Sequence, residues 1–178
     1  MNSTILQYIS FFTATILNWN HLLLDDYLKD IITSSMKFLV TDRRAVIYAF
    51  VIMPNHIHLV WKIAEVRKKE DVQRDFLKYT AQKMKLKLID EDPEKLKPFY
   101  VGAKDRKFQF WERNPLTSRL PTEEIIVQKI NYIHANPIRG KWNLCKEFTG
   151  YKYSSASFYH KEKSVWDFLT NYAEAFFE

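Results

Sequence analysis

The tightest constraint on this chain lies in one short run, Phe50-Val51-Ile52-Met53-Pro54-Asn55-His56-Ile57-His58-Leu59-Val60-Trp61. An apolar strand enters a Pro-Asn turn and a second apolar strand leaves it, so the run predicts a hairpin inside a sheet. Side chains alternate faces along a strand. His56 and His58 therefore share one face, about 7 Å apart, and Ile57 takes the other. Two imidazoles placed this way can converge on one divalent metal. The same pattern also fits two polar residues on the solvated face of an edge strand.

The rest of the chain supplies the partners for that hairpin. Residues 11–17 are β-branched and aromatic and read as a first strand. Asp25 and Asp26 open a helix, where acidic groups suit the dipole. In it Tyr27, Leu28, Ile31, Ile32, Ser35, Phe38 and Leu39 recur at helical spacing. Residues 45–53 and 57–63 are the two strands of the hairpin. A long helix over 65–88 has an inner stripe of Val72, Phe76, Thr80, Met84 and Leu88, and residues 89–104 read as a loop. Phe108-Gln109-Phe110-Trp111 alternates and reads as a fourth strand, followed by a loop over 114–121. A third helix starts near Thr122 and stops at Pro137. Residues 165–177 read as a terminal amphipathic helix with Trp166, Leu169, Tyr172, Ala173 and Phe176 inward. This order predicts an α+β fold, one antiparallel sheet packed with helices. With 178 residues and no repeat or linker, a single domain over 1–178 is expected, with a core of about 11–160 and a C-terminal helix over 161–178.

Charge and composition narrow the function classes. Cys145 is the one cysteine, which excludes an intrachain disulfide framework and a cysteine-based zinc site and fits a reducing, cytoplasmic location. The first ten residues lack a basic region followed by an apolar run, and no segment has the length of a membrane span. The formal net charge is +6. A basic surface fits a polyanionic partner, most simply nucleic acid. Lys78, Lys83, Lys85 and Lys87 on the long helix, with Arg139 and Lys141 after the third helix, are the candidate phosphate contacts.

The third helix supplies the second half of a site. Ile126, Ile130 and Ile133 form its core stripe, and Tyr132 lies about 120° from Ile126, off that stripe. Asn136 follows Tyr132 by four residues and shares its face. A phenol titrates near about 10 and is a poor nucleophile at neutral pH. It can attack phosphorus when held in line beside a metal that stabilises the developing charge. His56, His58 and the Asn136 oxygen form a candidate ligand set with positions left for phosphate oxygens. Tyr132 taken alone reads first as a packing residue. His134 faces about 200° from Tyr132 and reads as a structural, hydrogen-bonding histidine. Tyr151, Tyr153 and Phe158 can either stack on bases or pack in the core.

Pro54-Asn55-His56-Ile57-His58-Leu59-Val60 resembles the HUH motif of the single-strand tyrosine transposases. Asn131-Tyr132-Ile133-His134-Ala135-Asn136-Pro137 resembles their catalytic-helix signature. Residues 108–113 and Tyr151-Lys152-Tyr153-Ser154-Ser155-Ala156 also fit, in particular the branch called REP-associated tyrosine transposases. The resemblance runs from Phe11 to Tyr159. It implies a ferredoxin-like antiparallel sheet with helices packed on one face, and dependence on Mg²⁺ or Mn²⁺. It implies cleavage and rejoining of single-stranded DNA near hairpins through a 5′-phosphotyrosine on Tyr132. His56, His58 and Asn136 match the family's metal ligands. The chain departs from the family's usual Asn-Pro-Val run at Ile138-Arg139-Gly140-Lys141-Trp142, so no DNA sequence preference carries over. Both monomers and helix-exchanging homodimers occur among such proteins. Two other readings stay open: a catalytically silent protein that binds DNA hairpins, and a phosphoesterase that uses water.

Overall fold

The computed structural model describes residues 9–161 and 165–176. Its strands are β1 (Ile9–Thr15), β2 (Ala45–Met53), β3 (His56–Ile63), β4 (Tyr100–Ala103), β5 (Arg106–Phe108) and β6 (Leu116–Arg119). Its helices are α1 (Asp26–Thr41), α2 (Lys69–Glu91), α3 (Glu123–Ala135) and the short α4 (Ala156–His160). Four strands form an antiparallel sheet in the order β2-β3-β1-β6, and β4 pairs with β5 in a separate hairpin. With α1 after β1 and α2 after β3, this is the ferredoxin-like arrangement expected.

The strand pleat sorts the sheet into two faces. Phe12 and Ala14 of β1 and Ile16 just after it, with Ile57, Leu59 and Trp61 of β3, pack against Leu28, Ile32 and Met36 of α1 and Val72, Phe76, Met84 and Leu88 of α2. These are the helices expected on one face. The opposite face is covered by α3, whose Ile126, Ile130 and Ile133 meet Val60 of β3 and Val51 and Met53 of β2. A fully buried side chain of this size contributes about 1.5–3 kcal/mol, so this stripe fixes α3 across the sheet. Helix ends follow local chemistry. The Asp25 side chain accepts from the Tyr27 amide to open α1, and Thr122 accepts from the Ile125 amide to open α3. Tyr27 and Phe38, expected inward on α1, are exposed, and Met36 is buried instead.

Three sequence expectations need correction. The fourth strand of the sheet is Leu116–Arg119, inside the stretch read as a loop. Residues 108–111 alternate for another reason: Phe110 stacks on Phe99, the Trp111 indole donates to Thr80 Oγ1, and Trp111 makes one isolated bridge to Ile16, the residue after β1. The loop expected over 89–104 contains the end of α2, a 3-10 turn at Pro93–Phe99 and strand β4. The expected C-terminal helix is one 3-10 turn, Tyr172–Phe176. The residues before it lie along β2, where Leu169 bridges Ile47 and the Thr170 amide donates to the Ile47 carbonyl. Backbone groups spent on β2 are unavailable to a helix. Residues 153–155 also line β2, with amide bonds from Ile52 to the Tyr153 carbonyl and from Ser155 to the Phe50 carbonyl. Together these segments cover an otherwise open sheet edge. Residues 162–164 and 177, part of that expected helix, lie outside the described residues.

Candidate metal and nucleophile site

His56 and His58 sit on β3, which is paired on both sides, by β2 and by β1. The solvated edge-strand alternative therefore falls away. Their rings share the α3 face with centroids 4.7 Å apart. His58 is buried, and His56 is half-buried. Burial holds both neutral: His56 is pushed down to about 4, and His58 to about 3, with the charges of His56 and Lys129 adding to its burial. Neutral imidazoles are the form that can donate a lone pair.

The surroundings also select the ring nitrogen. Asn55, itself buried, donates its amide to the Trp19 carbonyl at 3.3 Å, so its Oδ1 faces His56 Nδ1 at 2.7 Å. That oxygen can only accept, so His56 carries its proton on Nδ1 and its lone pair on Nε2. Trp19 reaches this position with a left-handed φ of 56°, an uncommon backbone for a bulky residue. His58 Nδ1 lies 2.7 Å from Thr13 Oγ1 of β1. When Nδ1 donates to that hydroxyl, Nε2 of His58 is likewise free to ligate. This oxygen–histidine arrangement is how proteins orient ligating imidazoles, and the donor set fits a divalent ion. Thr13→Val should lower Mn²⁺ affinity by roughly 10–100-fold with little loss of folding. Calorimetric titration with unchanged affinity would leave Thr13 without that role.

Tyr132 stands beside this pair. Its ring centroid is 5.7 Å from that of His58 and 6.2 Å from Phe11, which in turn stacks on His58 at 5.0 Å. The side chain is exposed on the open side of α3, and its hydroxyl has no hydrogen bond among the described residues. Lys129, one turn earlier, lays its ammonium 5.6 Å from the Tyr132 ring and 4.9 Å from the Phe11 ring. Asn136 caps α3 and opens a 3-10 turn, Asn136–Ile138, that lies against β2. Among the described residues no hydrogen bond joins its side chain to either histidine. Past this turn Trp142 comes within 6.3 Å of the His56 ring and 5.2 Å of the His21 ring, with Lys141 over it at 5.2 Å.

The remaining candidates are distributed differently. Lys78 and Lys85 face a groove beside α2. Lys83 lies over Tyr79, and Lys87 pairs with Glu91 and sits 3.9 Å over the Tyr27 ring. Arg139 is exposed just beyond α3. Tyr151 and Tyr153 are structural: their hydroxyls donate to the Ile52 carbonyl and to Asp30, and burial raises both above the usual phenol range. Thr13, Phe11, Asn55, Lys129 and Trp142 complete the site and were not among the sequence candidates. Only Lys129, three residues before Tyr132, had a readable signal.

His134 is buried on the inner side of α3, with Nε2 2.8 Å from Ser155 Oγ and Nδ1 without a hydrogen-bond partner among the described residues. Burial pushes it down to about 4. Below the unfolded value near about 6.5 the unfolded chain binds more protons, so the stability due to neutral His134 is whole above that pH and drains as pH falls towards about 4. His134→Gln should make unfolding free energy fall less steeply across that window, by up to about 1.4 kcal/mol per pH unit. Urea titrations with equal slopes in both proteins would contradict this.

No family model matches the chain, and no curated protein matches it. Among solved structures it is similar to a REP-associated tyrosine transposase bound to a REP hairpin. That likeness has a TM-score of 0.60 and 19% identity over 84% of this chain and 76% of the other. A putative transposase from Deinococcus radiodurans R1 aligns with a TM-score of 0.48 and 19% identity, over 70% of this chain and 87% of that one. The sheet order, the position of α3 across it and the first of these likenesses agree: the chain has the fold of a REP-associated tyrosine transposase.

Proposed function

We propose that the chain is a DNA strand transferase that cuts and rejoins single-stranded DNA beside hairpin or palindromic sequences, with Tyr132 as nucleophile. The observation that carries this reading is the exposed Tyr132 ring 5.7 Å from His58 on the face shared by both histidines. The Tyr132 oxygen attacks the scissile phosphorus and forms a 5′-phosphotyrosine bond. The bond from phosphorus to the 3′ oxygen breaks. The phenol loses one proton and the leaving oxygen gains one, so no net proton is consumed. Rejoining is the reverse attack by a 3′-hydroxyl and needs no external energy source.

His56 and His58 would hold Mg²⁺ or Mn²⁺ through Nε2, with Asn136 as third ligand. The ion, when bound, would withdraw charge from the phosphate oxygens. Phe11 and Lys129 hold the Tyr132 ring, and Lys129 brings a positive charge to where phosphate must lie. The proposal takes the protein as a monomer, with a helix-exchanged homodimer as the alternative. Among the described residues no helix is long and apolar enough to cross a membrane. A nucleoid-associated place in the bacterial cytoplasm belongs to the same proposal.

The second reading is a hairpin-binding protein that does not cut. One incubation separates the two. The protein is mixed with end-labelled single-stranded hairpin DNA and Mn²⁺ and run on a denaturing gel. A label retained on the protein supports strand transfer. Hairpin binding without cleavage supports the second reading, and cleavage without adduct would mean that water attacks.

A further inference from the structure

Away from the histidine face, a groove of about 1120 Å³ runs between α2 and residues 105–115. Leu77, Phe108 and Trp111 supply apolar and aromatic walls. Lys78, Lys107 and Arg113 line it, are exposed, and have no carboxylate partner among the described residues. Lys85 adds its ammonium 5.4 Å over the Phe108 ring. Arg106 spends Nη1 on Asp105 and Nε on Gln109, leaving Nη2 buried with no hydrogen-bond partner among the described residues. Glu70, Asp105 and Glu112 also line the groove, so its six cations outnumber its carboxylates two to one. A net positive groove with aromatic walls matches a ligand with repeating anions and flat apolar faces, which is what a single nucleic-acid strand offers.

The groove also leads to the site. Its wall continues from Arg113 through Asn114 and Pro115 to Leu116 of β6. Leu116 pairs with Thr13, the residue bonded to His58. Three residues, bent at Asn114 (φ 58°) and so spanning less than the about 10 Å of an extended segment, separate the groove's cationic rim from β6, which lies next to β1 and one strand away from the histidines.

We propose that this groove holds the single-stranded flank of the DNA substrate, a claim that takes its ligand from the strand-transfer reading above. The test is fluorescence anisotropy with labelled oligothymidylate and no metal, comparing wild type with Lys78→Gln/Lys107→Gln/Arg113→Gln. All three side chains are exposed, so the variant should fold, which circular dichroism checks. Its affinity should fall on the order of tenfold or more, and the slope of log K against log salt should shrink by about two, as expected for three lost phosphate contacts. A blunt hairpin without flanks should bind both proteins alike. Equal oligothymidylate affinity in the two proteins overturns the groove assignment even if wild type forms the covalent adduct. A weakened variant supports the groove even if no adduct forms, in which case only the cleavage reading fails.

Discussion

Tyr132→Phe should abolish both DNA cleavage and the covalent adduct while leaving a folded protein that still binds hairpin DNA. The substitution removes one oxygen and almost no volume. The side chain is 42% exposed, and its hydroxyl has no hydrogen bond among the described residues. Stability should therefore move by less than about 0.5 kcal/mol. The ring contacts with His58, Phe11 and Lys129 survive, so the histidine pair keeps its surroundings. Loss of a nucleophile has no partial substitute here, since Tyr151 and Tyr153 are tied to Ile52 and Asp30. A rate reduction of at least about 10³-fold is expected, read as adduct formed per minute on a denaturing gel. Cleavage persisting in Tyr132→Phe would show that another group attacks the phosphorus.

The second large effect belongs to the metal. His56→Ala/His58→Ala should lose Mn²⁺ binding and, with it, cleavage. Mn²⁺ at a hundredfold excess over its dissociation constant should stabilise wild type by about 2.7 kcal/mol and should leave the double variant's melting temperature unmoved. Without metal the variant should remain folded, destabilised by about 1–3 kcal/mol, because the buried His58 ring and its bond to Thr13 are gone. Equal Mn²⁺-induced shifts in the two proteins would remove the histidines from the ligand set.

The central hairpin and the tyrosine helix were legible because each carries its own local signal. Apolar runs around Pro54-Asn55 fix one, and Thr122 with the Ile126, Ile130 and Ile133 stripe fixes the other. Tyr132 could be placed off the core stripe by helical angle alone. The contact from Thr13 to His58 spans 45 positions and depends on β1 pairing with β3, a register no local pattern states. Strand β6 was illegible because Leu116-Thr117-Ser118-Arg119 is a largely exposed edge with no apolar alternation. Residues 108–111 misled for the opposite reason: their aromatic alternation serves packing on Phe99 and Thr80. The C-terminal segment has helical spacing, but its backbone bonds go to the edge of β2. In the basic helix, composition could not distinguish Lys87, neutralised by Glu91, from Lys78, which has no carboxylate partner among the described residues.

The most direct measurement is the chemical identity of the linked residue. Wild-type protein incubated with single-stranded hairpin DNA and Mn²⁺ is digested with nuclease and trypsin, and the nucleotide-bearing peptide is sequenced by mass spectrometry. The account predicts one modified peptide, with the nucleotide's 5′-phosphate on Tyr132. Cleaved DNA with no modified peptide, or a nucleotide on any other residue, would contradict it.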